Sequence, residues 1–102
     1  MALSTHVLDI SRGKPAAGVA VELARAGEVL ASVVTGADGR ATVLEVLEVG
    51  EYELCFAVGD YFGGAPGFLD VVPVRFRVTD PASHHHVPLL VAPGGYSTYR
   101  GS

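Results

Sequence analysis

The division of this chain into short apolar segments constrains its fold more than any other feature. Segments rich in Val and Leu are separated by Gly, Pro or Asp about every ten residues, the spacing typical of small β-sandwiches. In residues 51–57, Tyr52, Leu54 and Phe56 alternate with polar or small residues. This alternation predicts a strand with one buried face.

Similar segments cover much of the remaining chain, at residues 19–23, 29–35, 72–78, 84–90 and 96–100. Pro73 predicts that its own segment lies at a sheet edge or begins a strand. Residues 13–18 and 36–39 carry the Gly, Pro and Asp typical of turns. About seven or eight short strands without a long amphipathic helix predict an all-β sandwich.

The secondary structure of two segments is ambiguous from the sequence. The Leu and Glu residues of 41–48 suit a helix, whereas its Thr and Val residues suit a strand. Residues 60–64 are compatible with one helical turn at most. Neither segment changes the predicted fold class.

The length of 102 residues predicts one domain over residues 1–102. A domain of this size buries only about 60–65% of the surface that its unfolded chain exposes, so association with other copies would add stability. Charged residues make up 18% of the chain, against roughly 25% in soluble domains. This low charged fraction indicates that a partner covers part of the surface.

Charge and hydropathy argue against several functional classes. The net charge is −4 and neither a basic stripe nor an RNA-binding aromatic motif is present, so nucleic acid is not an expected partner. No apolar run reaches the roughly 20 residues that span a bilayer, and residues 1–9 lack the features of a secretory signal. Cys55 is the only cysteine and cannot form a disulfide within the chain. We therefore expect a cytoplasmic location and no membrane association.

The four histidines are the first candidates for chemistry. His6 lies in an apolar segment, where a lone histidine is more often a core residue, yet a pKa near neutrality suits a general base. In the later run, alternation places His84 and His86 on one strand face and His85 on the other. A His-rich tract can bind metal, but zinc needs three or four converging ligands and no other cluster has suitable spacing. Exposure on a strand is the simpler interpretation of His84 and His85.

Arg40 and Ser102 are two further candidates. Arg40 follows the Asp38-Gly39 turn, where a guanidinium is usually solvated but can also bind a carbonyl or an oxyanion. Ser102 carries a hydroxyl and the α-carboxylate, and is either a frayed end or a functional one. The chain lacks a Gly-x-Ser-x-Gly motif and a Gly-rich phosphate loop, so a serine triad or nucleotide chemistry is not indicated.

Together these features resemble the transthyretin-like family. The motifs that carry the resemblance are STHVLD at residues 4–9, Gly-x-Pro-Ala at 13–16, Asp-Gly-Arg at 38–40, Gly-Glu-Tyr-Glu-Leu at 50–54, His-Val-Pro-Leu-Leu at 86–90 and YSTYRGS at 96–102. The two ends are highly specific and the middle moderately so. The resemblance implies a transthyretin-like two-sheet β-sandwich of Greek-key type, with about eight strands and at most one short helix. It also implies a homotetramer built as a dimer of dimers, with active sites in a central channel.

The family contains the hormone carrier transthyretin and hydrolases that open the ring of 5-hydroxyisourate in urate breakdown. The chain is similar to the hydrolases at His6, Arg40, His86 and the terminal Tyr-Arg-Gly-Ser. This similarity implies hydrolysis of 5-hydroxyisourate to 2-oxo-4-hydroxy-4-carboxy-5-ureidoimidazoline without a metal or organic cofactor. His6 and His86 are then expected to activate water, and Arg40 to stabilise the oxyanion. The residues expected to bind the substrate are Tyr99, Arg100 and Ser102.

Two alternatives and two departures from the family accompany this interpretation. The chain could be a non-catalytic carrier of a small aromatic ligand in the tetramer channel, or a metal-binding protein using His84 and His86. His85 stands where the family usually has Tyr, and should face away from His86. The chain is also shorter around residues 24–34 and 62–68, and the second gap is expected to trim the family's short helix.

Overall fold

The chain forms two β-sheets joined by short loops, in a computed structural model that describes residues 3–63 and 67–101. Over this range there are nine strands and one helical turn. The strands are β1 (Leu3–Asp9), β2 (Lys14–Pro15), β3 (Ala20–Arg25), β4 (Glu28–Val34), β5 (Arg40–Leu44), β6 (Gly50–Phe56), β7 (Val72–Val78), β8 (His85–Ala92) and β9 (Gly95–Thr98); α1 (Val58–Tyr61) lies between β6 and β7. The predicted all-β, two-sheet architecture is confirmed.

Strand β1 lies at the centre of the larger, five-stranded sheet. It pairs in parallel with β8, which in turn pairs with β9 in antiparallel fashion. On the other side of β1, β5 pairs with the first half of the strand and β2 pairs with the second half. The smaller sheet has the antiparallel order β4-β3-β6-β7. The β1–β8 pairing brings residues from the two ends of the sequence side by side.

The core lies between the two sheets and follows the alternation seen in the sequence. Tyr52, Leu54 and Phe56 of β6 are all at most 3% exposed, as predicted. Fully buried residues of the facing sheet include Leu3, Val7, Leu89 and Val91. Burial of each such side chain contributes about 1.5–3 kcal/mol to folding relative to exposure.

Several element boundaries differ from the sequence-based expectation. The ambiguous segment at residues 41–48 contains the strand β5, because the β-branched Val43 packs into the core with 6% exposure. The turn predicted at residues 13–18 includes the two-residue strand β2. The helical turn begins earlier than expected, at Val58. Pro73 lies on the edge strand β7, as predicted.

A buried carboxylate ties the end of β1 to α1. The Asp9 side chain is fully buried and accepts hydrogen bonds from the hydroxyls of Ser11 (2.6 Å) and Tyr61 (2.8 Å). The Arg12 guanidinium contacts the same carboxylate at 3.1 Å. Burial by itself raises the pKa of Asp9, but the hydrogen bonds outweigh this effect and hold the pKa below its ordinary value. The ionised form of Asp9 therefore stabilises the fold.

Within the described residues, the longest helix is the single turn α1, and none has the length and apolar character needed to cross a membrane.

Candidate active site

Three residues singled out in the sequence lie together on the outer face of the five-stranded sheet. In β1, Leu3, Thr5 and Val7 point into the core, so Ser4 and His6 point outward. Across the β1–β5 pairing His6 lies opposite Arg40. The β1–β8 pairing sets Ser4 opposite His86. The sheet register therefore gathers residues that are up to 82 positions apart in the sequence.

The turn before β5 positions Arg40 at the edge of this face. Gly39 has φ +78°, and a Cβ at this position would collide with the carbonyl oxygen of Val7. Only glycine fits here, because the turn packs directly on β1. The backbone N–H of Val7 donates to the Gly39 carbonyl at 2.8 Å, and that of Arg40 donates to Asp38 Oδ1 at 2.9 Å. These contacts fix the backbone position from which the Arg40 side chain extends.

The same turn determines how His6 can act. The Nε2 atom of His6 lies 2.9 Å from the Asp38 carbonyl oxygen. A carbonyl oxygen only accepts, so Nε2–H is the donor in this contact. In the neutral imidazole, Nδ1 is then the nitrogen that can accept a proton or orient a water molecule.

His86 has the opposite arrangement of its two ring nitrogens. Its Nδ1 lies 2.8 Å from the Ser4 hydroxyl, which leaves Nε2 as the nitrogen that can exchange a proton with a ligand. Burial lowers the pKa of His86, and the nearby charges of Arg40, His6 and His84 lower it further. The imidazole is therefore neutral, and able to act as a base, at pH values where an exposed histidine already carries a proton.

A polar concave surface of about 400 Å³ connects Arg40 with His86, and His6 lies next to it as the strand partner of Arg40. Its lining residues are Ser4, Thr5, Asp38, Arg40, Ala41, Thr42, His84 and His86. A neutral imidazole and a guanidinium on the same surface are the pair of groups needed to activate water and to stabilise an oxyanion. The surface is open to solvent in one chain, so a second chain would be needed to enclose a ligand.

The C-terminal segment runs along β8 and reaches His86. The backbone N–H of Gly101 donates to the His86 carbonyl at 2.8 Å. A Cβ at Gly101 would lie 2.5 Å from Cδ2 of the His86 ring, so only glycine allows the chain to pass this close. Ser102 lies outside the described residues.

Tyr99 and Arg100 lie beside the polar surface and not on it. They line an adjacent groove of about 310 Å³ between the edge strands β7 and β9, together with Phe76, His85 and His86. The Arg100 guanidinium points toward the turn before β8, 3.4 Å from the Ser83 hydroxyl. Within one chain, the structure thus brings His6, Arg40 and His86 together on one face, and it places Tyr99 and Arg100 in a neighbouring groove whose lining includes His86 but not His6 or Arg40.

The side chains of His84, His85 and His86 alternate between the two strand faces as predicted, but only one of the two histidines expected to be exposed is exposed. His84 is exposed, whereas His85 is buried with 5% exposure and its Nδ1–H donates to the Ser83 carbonyl at 3.0 Å. The expectation that His85 is an exposed strand residue is wrong, because β8 turns that position into the sandwich. In residues 3–63 and 67–101, no group of three or more His, Cys, Asp or Glu side chains is placed to hold a metal ion.

Ser4 is the site residue that the sequence analysis did not single out. Its hydroxyl lies 2.8 Å from His86 Nδ1 and 3.0 Å from His84 Nε2. The available signal was its position two residues before His6, which places both side chains on one strand face. Its contact with the later histidines depends on the β1–β8 register, which has no local signature.

Comparisons with known proteins agree with this geometry. The sequence profile of the HIUase/Transthyretin family matches residues 3–101. The 5-hydroxyisourate hydrolase of Halalkalibacterium halodurans is 54% identical, over 98% of this chain and 97% of that protein. The structure of Klebsiella pneumoniae 5-hydroxyisourate hydrolase superposes with a TM-score of 0.91 at 45% identity, covering 100% of both chains. Sea bream transthyretin in complex with thyroxine has a TM-score of 0.88 at 26% identity, covering 99% of this chain and 95% of that one.

Proposed function

Since this chain belongs to the HIUase/Transthyretin family, we propose that it is an enzyme that hydrolyses 5-hydroxyisourate to 2-oxo-4-hydroxy-4-carboxy-5-ureidoimidazoline in urate breakdown. The observation that carries the proposal is that His6, Arg40 and His86 lie on the same outer face of the sheet, where Arg40 and His86 line an open polar surface. These residues suit hydrolysis of a cyclic amide, because that reaction needs a base for water and a cation for the oxyanion. Residues 1–102 would act as one domain.

In the proposed mechanism, His86 Nε2 takes a proton from a water molecule that attacks the ring carbonyl. The lowered pKa of His86 keeps this nitrogen unprotonated near neutral pH. His6 Nδ1 orients the same water, because its Nε2–H is held by the Asp38 carbonyl. A positioned base contributes about 10²–10⁴-fold to the rate.

Arg40 binds the substrate oxygens and stabilises the developing oxyanion, a contribution of about 10²–10³-fold. When the ring C–N bond breaks, the proton that His86 took from water passes to the departing nitrogen. The reaction then needs no metal or organic cofactor.

The substrate-binding roles of Tyr99, Arg100 and Ser102 are proposed for a homotetramer, a dimer of dimers. The open polar surface supports this arrangement, because a facing sheet would enclose it in a channel. The low charged fraction of 18% and the exposed Tyr96 and Tyr99 also support burial against other copies. In the channel, C-terminal residues of one subunit could complete the site of another.

The carrier function is the weaker alternative. The hydrolase from Klebsiella pneumoniae is 45% identical to this chain, and the thyroxine-bound transthyretin of sea bream 26%. A carrier also has no need of a neutral histidine beside an arginine. The single cysteine, which cannot form a disulfide within the chain, supports a cytoplasmic location for the enzyme.

The proposed activity is tested by following freshly generated 5-hydroxyisourate by its ultraviolet absorbance, with and without the purified protein. We expect decay well above the spontaneous rate, unchanged by a chelator. A rate equal to the spontaneous one, together with saturable binding of a flat aromatic ligand, would instead support the carrier function.

A further inference from the structure

We propose that Ser4 is a positioning residue that orients the His86 imidazole and connects it to His84 as a proton relay. The hydroxyl oxygen of Ser4 lies between the two rings, 2.8 Å from His86 Nδ1 and 3.0 Å from His84 Nε2. The rings are nearly parallel, with their centroids 6.4 Å apart and 16° between their planes. This proposal rests on the function proposed above and adds a role for two residues outside the catalytic set.

The backbone holds the Ser4 hydroxyl in place. Ser4 is the register partner of His86 in the parallel β1–β8 pairing, which is continuous from Leu3 to Asp9. The next residue, Thr5, donates its hydroxyl to the Val87 carbonyl at 2.7 Å and ties the two strands together again. The pairing of β1 with β8, and not a mobile loop, therefore holds the Ser4 hydroxyl next to His86.

A hydroxyl has one proton, so it cannot donate to both rings. In the form able to act as a base, His86 Nδ1–H donates to Ser4, and Ser4 donates to His84 Nε2. His86 Nε2 then carries the lone pair. When His84 Nε2 is unprotonated, Ser4 donates to it and accepts from His86 Nδ1–H, so Ser4 and His84 together select the tautomer of His86 that presents its basic nitrogen to the ligand surface.

The same chain of atoms can move the proton taken from water. When His86 Nε2 accepts that proton, His86 Nδ1–H passes its own to Ser4, and Ser4 passes its proton to His84 Nε2. The hydroxyl is restored, His86 is neutral and His84 carries the charge. The sequence reverses when the ring nitrogen departs and takes the proton from His86 Nε2, so no other donor or acceptor is needed.

Charge distribution favours this transfer. Arg40 of β5 and His6 of β1 face His86, so a positive charge on His86 is repelled from two sides. His84 is exposed immediately before β8, where water can solvate an imidazolium. Moving the proton to His84 therefore separates it from the cation that must bind the oxyanion.

The test compares Ser4→Ala and Ser4→Thr with a matched control, Ser32→Ala, an exposed serine of β4 on the other sheet. We expect Ser4→Ala to lower kcat by up to about 100-fold with little change in KM, as a misplaced catalytic group does. Ser4→Thr retains the hydroxyl and should keep most of the activity. Ser32→Ala should behave as the wild type, and melting temperatures establish that each variant is folded.

The tautomer of His86 is measured separately, by NMR of the ¹⁵N-histidine-labelled protein in the absence of substrate. We expect His86 to carry its proton on Nδ1 in the wild type and to become a mixture of tautomers in Ser4→Ala. An unchanged His86 tautomer in Ser4→Ala would overturn the positioning role. Because this measurement needs no turnover, it separates failure of the Ser4 proposal from failure of the proposed function.

The relay is tested with His84→Phe, which keeps a ring at this position but removes the proton acceptor. Mixtures of H₂O and D₂O should give a curved dependence of kcat on deuterium content in the wild type, because several protons move together. The dependence should become linear in His84→Phe and in Ser4→Ala. A curve that persists in His84→Phe would show that the proton does not travel to His84.

Discussion

At the scale of single residues, the proposed chemistry depends on His86 more than on any other side chain. His86→Ala should lower kcat by about 10²–10⁴-fold, because it removes the base that activates water. The measurement is the 5-hydroxyisourate decay assay, with circular dichroism to establish that the sheet content is retained. His85→Tyr is the matched control, since His85 is adjacent but points into the sandwich. Unchanged turnover in His86→Ala would remove His86 from the mechanism.

The pH dependence of the reaction follows from the surroundings of His86. Its pKa is held below the ordinary value of 6.5, so kcat/KM should stay constant down to below this pH and then decline as His86 gains a proton. Arg40→Gln removes one repelling charge and should raise the pKa of His86, which moves the decline to higher pH. The same variant should lower kcat by about 10²–10³-fold. A decline that stays in place in Arg40→Gln would mean that Arg40 does not influence His86.

At the scale of secondary-structure elements, the hydrogen-bonded carboxylate of Asp9 links β1 to α1. Tyr61→Phe removes the 2.8 Å hydrogen bond to Asp9 and should lower the free energy of unfolding by about 1.5–3 kcal/mol. The effect should largely disappear in the Asp9→Asn background, which a double-mutant cycle measures by denaturant unfolding. Tyr96→Phe, an exposed tyrosine, is the control.

The same element contact should make stability depend on pH in the acid range. The folded-state pKa of Asp9 is lowered, so its contribution is complete above the unfolded-state pKa of about 4 and is lost as the pH falls through the lower folded-state value. The difference in unfolding free energy between the wild type and Asp9→Asn should therefore be largest near neutral pH and shrink below about pH 4. A difference that grows on acidification would contradict the role of the ionised carboxylate.

At the scale of the whole molecule, the open face of the five-stranded sheet is expected to be a subunit interface. The wild type should have a native mass near 42 kDa, four times the chain mass of 10.6 kDa. Leu90→Glu places a charge on this face, where Leu90 is half-buried and lies beside Leu8. It should yield dimers with reduced activity in native mass spectrometry and the decay assay.

The control for this prediction is Val34→Glu, which adds the same charge at an exposed position of β4 in the other sheet. It should remain tetrameric and active. If both variants stay tetrameric, the subunits associate through another surface.

The sequence by itself determined the features that depend on local periodicity. Alternation in residues 51–57 and 72–78 predicted which side chains face the core, because successive side chains of a strand point to opposite faces, although Phe76 is only half-buried. The same rule separated His85 from its neighbours. The Asp38-Gly39 turn marked Arg40 as the residue that follows a turn, but the sequence left open whether a strand begins there. The motifs along the chain indicated the family, and the resemblance pointed to His6, Arg40 and His86 as residues of the proposed site.

Only the tertiary structure decided which of these residues meet. Ser4 and His86 are 82 positions apart and touch because β1 and β8 pair in parallel in one register. That register is selected by packing of the core across the whole sheet, so no local pattern reveals it. The burial of His85 and the contact of the Arg100 guanidinium with Ser83 depend on the same long-range packing. Sequence periodicity thus predicted the faces of the strands, and the pairing of distant strands produced the contacts on those faces.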